Sequence, residues 1–290
     1  MILRTEHLTK DYGRFRALDK LNLELGESEI FGLLGPNGSG KSTAIRMILG
    51  FLRPSSGAAW INGHHCWRDS VQARQQISYL PGELRLYENM TGQQLLDFLT
   101  RVRNTPLRED LPALAKTLDI DLSRPISQLS SGMKRKVALL VVLAPQAPLL
   151  ILDEPTNTLD PTMREELMQQ LLKSKARGQT ILFSSHVLAE VEQVCDCVGI
   201  LQRGKLVHLQ TMSNLRQSRR IRVHFNEPVS DIPPFPGVVQ MEKQADSFEM
   251  EFDGNLQVVL DWVAQQPVHD ITVEPVGLSA TYKLYHGAEA

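Results

Sequence analysis

Nine residues, Gly35-Pro36-Asn37-Gly38-Ser39-Gly40-Lys41-Ser42-Thr43, satisfy the phosphate-loop pattern G-x-x-x-x-G-K-[ST] and constrain the fold more than any other stretch. Glycines lack the Cβ that would forbid the required backbone conformations, so successive N–H groups can turn inward around an anion. Lys41 adds a point charge for the β- and γ-phosphates of a nucleotide, and Ser42 is placed to put its hydroxyl on Mg²⁺. Such a loop needs a strand to deliver it and a helix to carry it away. The apolar run Ile30-Phe31-Gly32-Leu33-Leu34 reads as the buried strand. Residues 43–49, with Ile45, Ile48 and Leu49 on one stripe, read as the helix, its positive dipole end aimed at the anion. The expectation is an α/β domain.

The flanking chain fits that expectation. The first 29 residues alternate, as in Leu21-Asn22-Leu23-Glu24-Leu25 before Gly26, and read as strands joined by turns, with Tyr12 exposed among Lys10, Asp11 and Gly13. Residues 57–63 and 77–80 are further strands, the second stopped by Pro81-Gly82. From Thr91 to about Thr117 the spacing turns helical, through Leu95, Leu96, Phe98, Leu99 and Val102, then Leu111, Leu114, Ala115 and Leu118. At Leu129-Ser130-Ser131-Gly132-Met133 a serine-rich turn opens another helix, whose first turn either binds an anion or is simply capped by serine.

Leu149-Leu150-Ile151-Leu152-Asp153-Glu154 is a buried-strand run ending in two adjacent acids. Ligands gather at the carboxyl ends of parallel strands, so Asp153 can hold Mg²⁺ through water while Glu154 faces the γ-phosphate. A third apolar strand, Thr180-Ile181-Leu182-Phe183, ends at Ser184-Ser185-His186 and brings His186 to the same edge.

Composition narrows the setting. Lys plus Arg total 31 against 33 Asp plus Glu, which gives no reason to expect nucleic acid as a partner. Three cysteines, Cys66, Cys195 and Cys197, and a start without a basic segment followed by an apolar core point to a reduced, cytosolic setting. His64-His65-Cys66 and Cys195-Asp196-Cys197 lack the paired spacing of a zinc site and read as a surface turn and buried thiols. The longest apolar stretch, residues 137–144, falls far short of the roughly 18 needed to cross a bilayer, so any membrane role is peripheral.

The phosphate loop, residues 129–133, Leu152-Asp153-Glu154-Pro155, Thr158-Leu159-Asp160 and His186 follow one another in the order found in the ATP-binding cassette (ABC) transporter ATPases. The chain resembles that family over roughly residues 1–215. The resemblance implies a RecA-like core sheet, an N-terminal antiparallel β subdomain and a helical subdomain at about residues 87–145. It implies ATP and Mg²⁺ as cofactors and ATP hydrolysis as the activity. It places Tyr12 on adenine, the loop residues Gly35 to Thr43 and Lys41 on phosphates, Ser42 and Asp153 on Mg²⁺, Glu154 on the attacking water and His186 on the γ-phosphate. Ser130, Ser131 and Gly132 would cap the nucleotide of a second, facing ATPase subunit, with Asp160 linking the two sites, so a homodimer is expected and a monomer nearly inactive. A separate integral-membrane permease would dock on the helical segment, with this chain at the cytoplasmic face of the cell membrane. Two positions depart from the family pattern. Ser131 and Met133 replace Gly and Gln of the signature, and Gly82 stands where a loop glutamine would approach the metal.

Residues 216–290 read as a small C-terminal α+β domain. Arg216, Arg219, Arg220 and Arg222 precede or enter a period-two strand at residues 221–225, Phe248 to Phe252 forms another, and Leu256, Val259, Leu260 and Val263 make a helical stripe. A strand at residues 271–274 and a helix near Tyr282 follow. Such an appendage resembles those on exporter ATPases with separate permeases. The arginines offer a surface for anionic lipid or a partner, or simply a solvated strand edge. The competing functions are an ABC ATPase acting on nucleic acid or ribosomes, disfavoured by the single phosphate loop and the absence of heptads, and a regulator with little turnover, disfavoured by Glu154.

Overall fold

Leu21, Leu23 and Leu25 are buried while Asn22 and Glu24 face water, the alternation that lets one sheet face join a core. The computed structural model describes residues 1–103, 106–229 and 232–286, and divides into two compact units, Met1–Gln210 and Thr211–Ala290. In the first unit β1 (Leu3–Tyr12) and β2 (Phe15–Leu25) form an antiparallel hairpin closed by Tyr12 opposite Phe15. β3 (Ile30–Leu34) follows with all five residues buried, then α1 (Lys41–Ile48), β4 (Ser56–Ile61) and β5 (His64–His65). Strands β2, β1, β4 and β5, in that order, make a four-stranded antiparallel sheet.

α2 (Ser70–Gln75) and β6 (Ile77–Leu80) lead into the helical segment of α3 (Gly92–Arg103), α4 (Leu111–Thr117) and α5 (Ser131–Leu143). β7 (Leu149–Asp153), α6 (Pro161–Ala176), β8 (Thr180–Ser185), α7 (Leu188–Val194), β9 (Cys197–Gln202) and β10 (Lys205–Thr211) complete a six-stranded sheet ordered β10-β9-β3-β8-β7-β6. Strands β9, β3, β8, β7 and β6 are parallel to one another. Their carboxyl ends therefore lie along one edge, which places the phosphate loop after β3, the acidic pair after β7 and His186 after β8 side by side.

One apolar cluster joins both sheets through α1: Leu21, Leu23, Leu33, Ile45, Ile48 and Ile151 all belong to it. Burying each such side chain contributes about 1.5–3 kcal/mol, so the loop sits on the best-supported part of the unit. The helical segment has a smaller core of Leu95, Ile126, Leu129 and Val137. Its stripe is narrower than the sequence spacing suggests, because Phe98 and Val102 are 39% and 66% exposed. The ring of Phe98 instead packs edge-on to Tyr87 at 5.8 Å. Among the described residues no helix is long and apolar enough to cross a membrane.

The second unit contains α8 (Met212–Gln217), β11 (Arg219–Phe225), β12 (Val238–Lys243), β13 (Ser247–Phe252), α9 (Leu256–Val263), β14 (Val268–Pro275) and α10 (Leu278–His286). Its antiparallel sheet runs β12-β13-β11-β14, with Ile221, Val223, Phe248 and Met250 packed on Val259 and Val263. Arg220 and Arg222 both reach Glu249, at 3.3 and 2.7 Å, and Glu251 and Glu274 stand opposite Arg220, so these two arginines face carboxylates across the sheet. The side chain of Arg216 lies outside the described residues. Truncation after Thr211, at the end of β10, is expected to leave a soluble unit binding Mg-ATP within about threefold of the full chain, because each unit has its own core. Calorimetric titration of the two proteins checks this, and loss of binding on truncation would refute it.

Candidate nucleotide site

The loop works as a cradle because three of its glycines take positive φ: Gly35 at 155°, Gly38 at 80° and Gly40 at 112°. A Cβ on Gly35 would lie 2.4 Å from the Leu201 carbonyl oxygen, and one on Gly40 would lie 2.8 Å from that of Ala17. Only glycine fits these contacts. Left-handed Gly40 turns the chain straight into α1, so the helix opens at Lys41, two residues before the position read from the apolar stripe. No side chain caps it, which leaves first-turn N–H groups for an anion. Pro36, Asn37 and Gly38 are exposed, whereas Ser39 is buried, with no hydrogen-bond partner for its Oγ among the described residues. Ser42 and Thr43 lie in the first turn of α1, half-buried.

Lys41 is buried, and its Nζ donates to the carbonyl oxygens of Gly35 at 2.6 Å and Pro36 at 3.3 Å. It also faces Glu154 Oε1 at 3.2 Å, an ion pair without hydrogen-bond alignment. The other carboxylate oxygen of Glu154, Oε2, lies 2.7 Å from His186 Nδ1. Glu154 thus joins the loop lysine to the histidine after β8. Its backbone is held at φ +49°, a left-handed conformation that costs about 1–3 kcal/mol in a residue with a side chain. The Glu154 N–H donates to the Ser184 carbonyl at 3.2 Å and Ser184 Oγ at 3.0 Å, which anchors this turn to the neighbouring strand.

Asp153 is buried, accepts a hydrogen bond from Ser184 Oγ at 2.7 Å, and makes no ion pair among the described residues. Burial, with the Asp153 charge nearby, pushes the Tyr79 phenol up to about 12. Ser42, Asp153, Glu154 and Asn37 share the wall of an open cavity of about 520 Å³ with Gly82 and Glu83. A buried carboxylate without a cation and a serine hydroxyl form an oxygen donor set suited to Mg²⁺. The cradle, the uncapped helix and Lys41 suit the phosphates of ATP.

Tyr12 ends β1, half exposed, with Lys10 Nζ 5.1 Å from its ring centroid. Ser130 caps α5, accepting from the Met133 N–H at 3.3 Å, and Ser131 is exposed beside it. Asp160 caps α6, accepting from the Met163 N–H at 3.0 Å. Tyr12, Ser130, Ser131, Gly132 and Asp160 do not line the cavity beside Asp153. The thiols of Cys66 and Cys195 are buried, Cys197 is half-buried, and His64 and His65 form β5 rather than a plain turn. No metal-holding cluster of His, Cys, Asp and Glu occurs among the described residues. Burial pushes the Cys66 thiol up to about 12, which keeps it unreactive.

A Cβ on Gly82 would meet Asp153 at 3.5–3.7 Å, ordinary van der Waals distance. Gly82→Gln is therefore expected to fold and to change ATP turnover less than about tenfold, or 1.4 kcal/mol. Steady-state hydrolysis by the purified variant checks this, and aggregation or a larger loss would show that the loop cannot admit a side chain there.

Sequence reasoning misses Arg135, which is buried and hydrogen-bonded to four backbone carbonyls. It sits four residues before Leu139 and seven before Val142, both buried on α5, so helical periodicity already puts it on the inner face. Glu190 is also missed; its Oε2 accepts from Thr156 Oγ1 at 3.1 Å and Ser185 Oγ at 2.9 Å, tying the turn after β7 to the end of β8.

A glycine cradle at the end of the central parallel strand β3, a buried lysine, and two acids at the end of β7, one strand beyond β8, define a phosphate-loop nucleotide-binding protein. The family model described as ABC transporter matches residues 18–157. The ABC transporter ATP-binding protein YhaQ of Bacillus subtilis is 31% identical over 95% of this chain and 99% of its own length. The bacitracin transport ATP-binding protein BcrA of Bacillus licheniformis is 32% identical over 94% of this chain and 90% of its own. A solved ATP-binding subunit of an ABC transporter superposes with a TM-score of 0.69 at 32% identity, covering 74% of this chain and 92% of that one. The chain belongs to the ATP-binding subunits of ABC transporters, ATPases that energise transport.

Proposed function

We propose that the chain hydrolyses Mg-ATP to drive export through a separate permease, working as a pair of ATPase subunits at the cytoplasmic face of the membrane. The observation that carries this reading is the Glu154 carboxylate, shared between Lys41 and His186 at the end of adjacent strands. Incoming β- and γ-phosphates take over Lys41, which releases Glu154 Oε1 to orient and polarise the attacking water. His186 keeps Glu154 oriented and then contacts the γ-phosphate. Ser42 and Asp153 would hold Mg²⁺, which would supply positive charge to the phosphates. Tyr12 stacks on adenine, while Ser130, Ser131 and Gly132 at the start of α5 cap the nucleotide of the facing subunit and Asp160 joins the two sites. The bacitracin transport activity in the name of BcrA supports movement of a compound across a membrane.

Purifying the tagged full chain from detergent-extracted membranes tests the assembly. The expected result is a stoichiometric multispanning membrane protein and faster ATP hydrolysis in the complex than in the free chain. Recovery with ribosomes or nucleic acid instead would overturn the transporter reading.

A further inference from the structure

Arg135 is 2% exposed, and its guanidinium forms no ion pair with a carboxylate among the described residues. Its Nη1 donates to the Pro81 carbonyl at 2.9 Å, its Nη2 to Gly82 at 3.0 Å and Glu154 at 3.2 Å, and its Nε to Asn157 at 3.2 Å. One side chain on α5 thus holds two loops at the site, the one after β6 that passes Asp153 and the one after β7 that carries Glu154. Burial lowers the affinity of Arg135 for its proton, opposed by the charges of Asp153 and then Glu154. A buried cation spent on neutral carbonyls is costly as mere glue, since removing the charge and its partners together would avoid the desolvation. The carbonyls it grips explain its presence. Glu154 and Thr158 both have left-handed backbones, at φ +49° and +68°, and the arginine bonds the carbonyl of the first and of Asn157 just before the second. Gly132 comes equally close, since a Cβ there would lie 3.2 Å from the Thr158 carbonyl oxygen.

We propose that Arg135 is a positioning residue for ATP hydrolysis: it locks the strained turn at Glu154 and the Gly82 loop to α5, so that the carboxylate points correctly only when α5 is seated. The inference rests on the role proposed above for Glu154. A planar fork spans four carbonyls from two loops, and an ammonium cannot. Arg135→Lys keeps charge and stem while losing the span, and Arg135→Gln keeps a planar donor without the charge.

Both variants of the full chain are compared with wild type and Glu154→Gln for kcat, for KM, for binding of a fluorescent ATP analogue with Mg²⁺, and for thermal unfolding. A displaced reacting group costs about 10²-fold in rate. The expected result is therefore kcat lower by about that factor in Arg135→Lys, with analogue affinity within about threefold of wild type. A purely structural arginine would lower the unfolding temperature and leave kcat per folded molecule unchanged, and that result overturns the proposal. So does loss of soluble protein in both variants, which would make Arg135 a folding residue. Retained turnover in Glu154→Gln would instead refute the role of Glu154, so the two failures are distinguishable.

Discussion

Glu154→Gln is expected to lower ATP turnover by about 10²- to 10⁴-fold, or ~3–5 kcal/mol of barrier, while nucleotide binding survives. An amide cannot accept a proton from water, yet the phosphate cradle, the bond from Lys41 to the Gly35 carbonyl and the bond from Ser184 to Asp153 do not involve the Glu154 side chain. Binding should in fact tighten. In the free protein Glu154 Oε1 sits 3.2 Å from Lys41 and competes with phosphate for the ammonium, and the neutral amide competes less. Bound but not hydrolysed, Mg-ATP should then hold two copies together. Single-turnover hydrolysis, analogue titration and size-exclusion chromatography with Mg-ATP check these three outcomes. Turnover within about threefold of wild type would place the base elsewhere.

That prediction was available from the sequence because the chemistry sits where local patterns are strongest. β3, β6, β7 and β8 are short apolar runs ending in Gly, Pro-Gly, Asp-Glu and Ser-Ser-His, and a strand buried on both faces shows its boundaries in composition alone. β12 has only three apolar residues in six and lies at a sheet edge, so its period-two signal is weak. β9 contains Gly199, where a Cβ would meet Leu206 and Phe31 at 2.9–3.0 Å, a packing requirement that local propensity reads as a break. The dual exposure of Phe98 and Val102 depends on how wide a face α3 buries, which periodicity leaves open. Arg135 was hidden for a different reason. Its role lies in carbonyls 19 to 54 positions away in the chain, and a cation between Lys134 and Lys136 reads as solvated until the packing is seen.

Lys41→Met separates the two jobs of the buried lysine. Methionine keeps the length and the apolar contacts of the stem but removes the charge, so affinity for ATP should fall about 10- to 100-fold, the value of one hydrogen bond between charged groups. The free protein should suffer too. Glu154 is only 12% exposed and loses its cation, and breaking a buried pair from one side costs about 3–5 kcal/mol at most, less here because His186 stays at 2.7 Å. The sign of the second effect can be isolated by neutralising the acid. In Lys41→Met combined with Glu154→Gln no carboxylate is left facing the lost ammonium, so unfolding in urea without nucleotide should show stability recovered relative to Lys41→Met while ATP affinity stays low. A double variant no more stable than Lys41→Met would mean that the ion pair contributes nothing to the free protein. Lys41 would then be held by the Gly35 and Pro36 carbonyls alone, and ATP would have no pair to break when it enters.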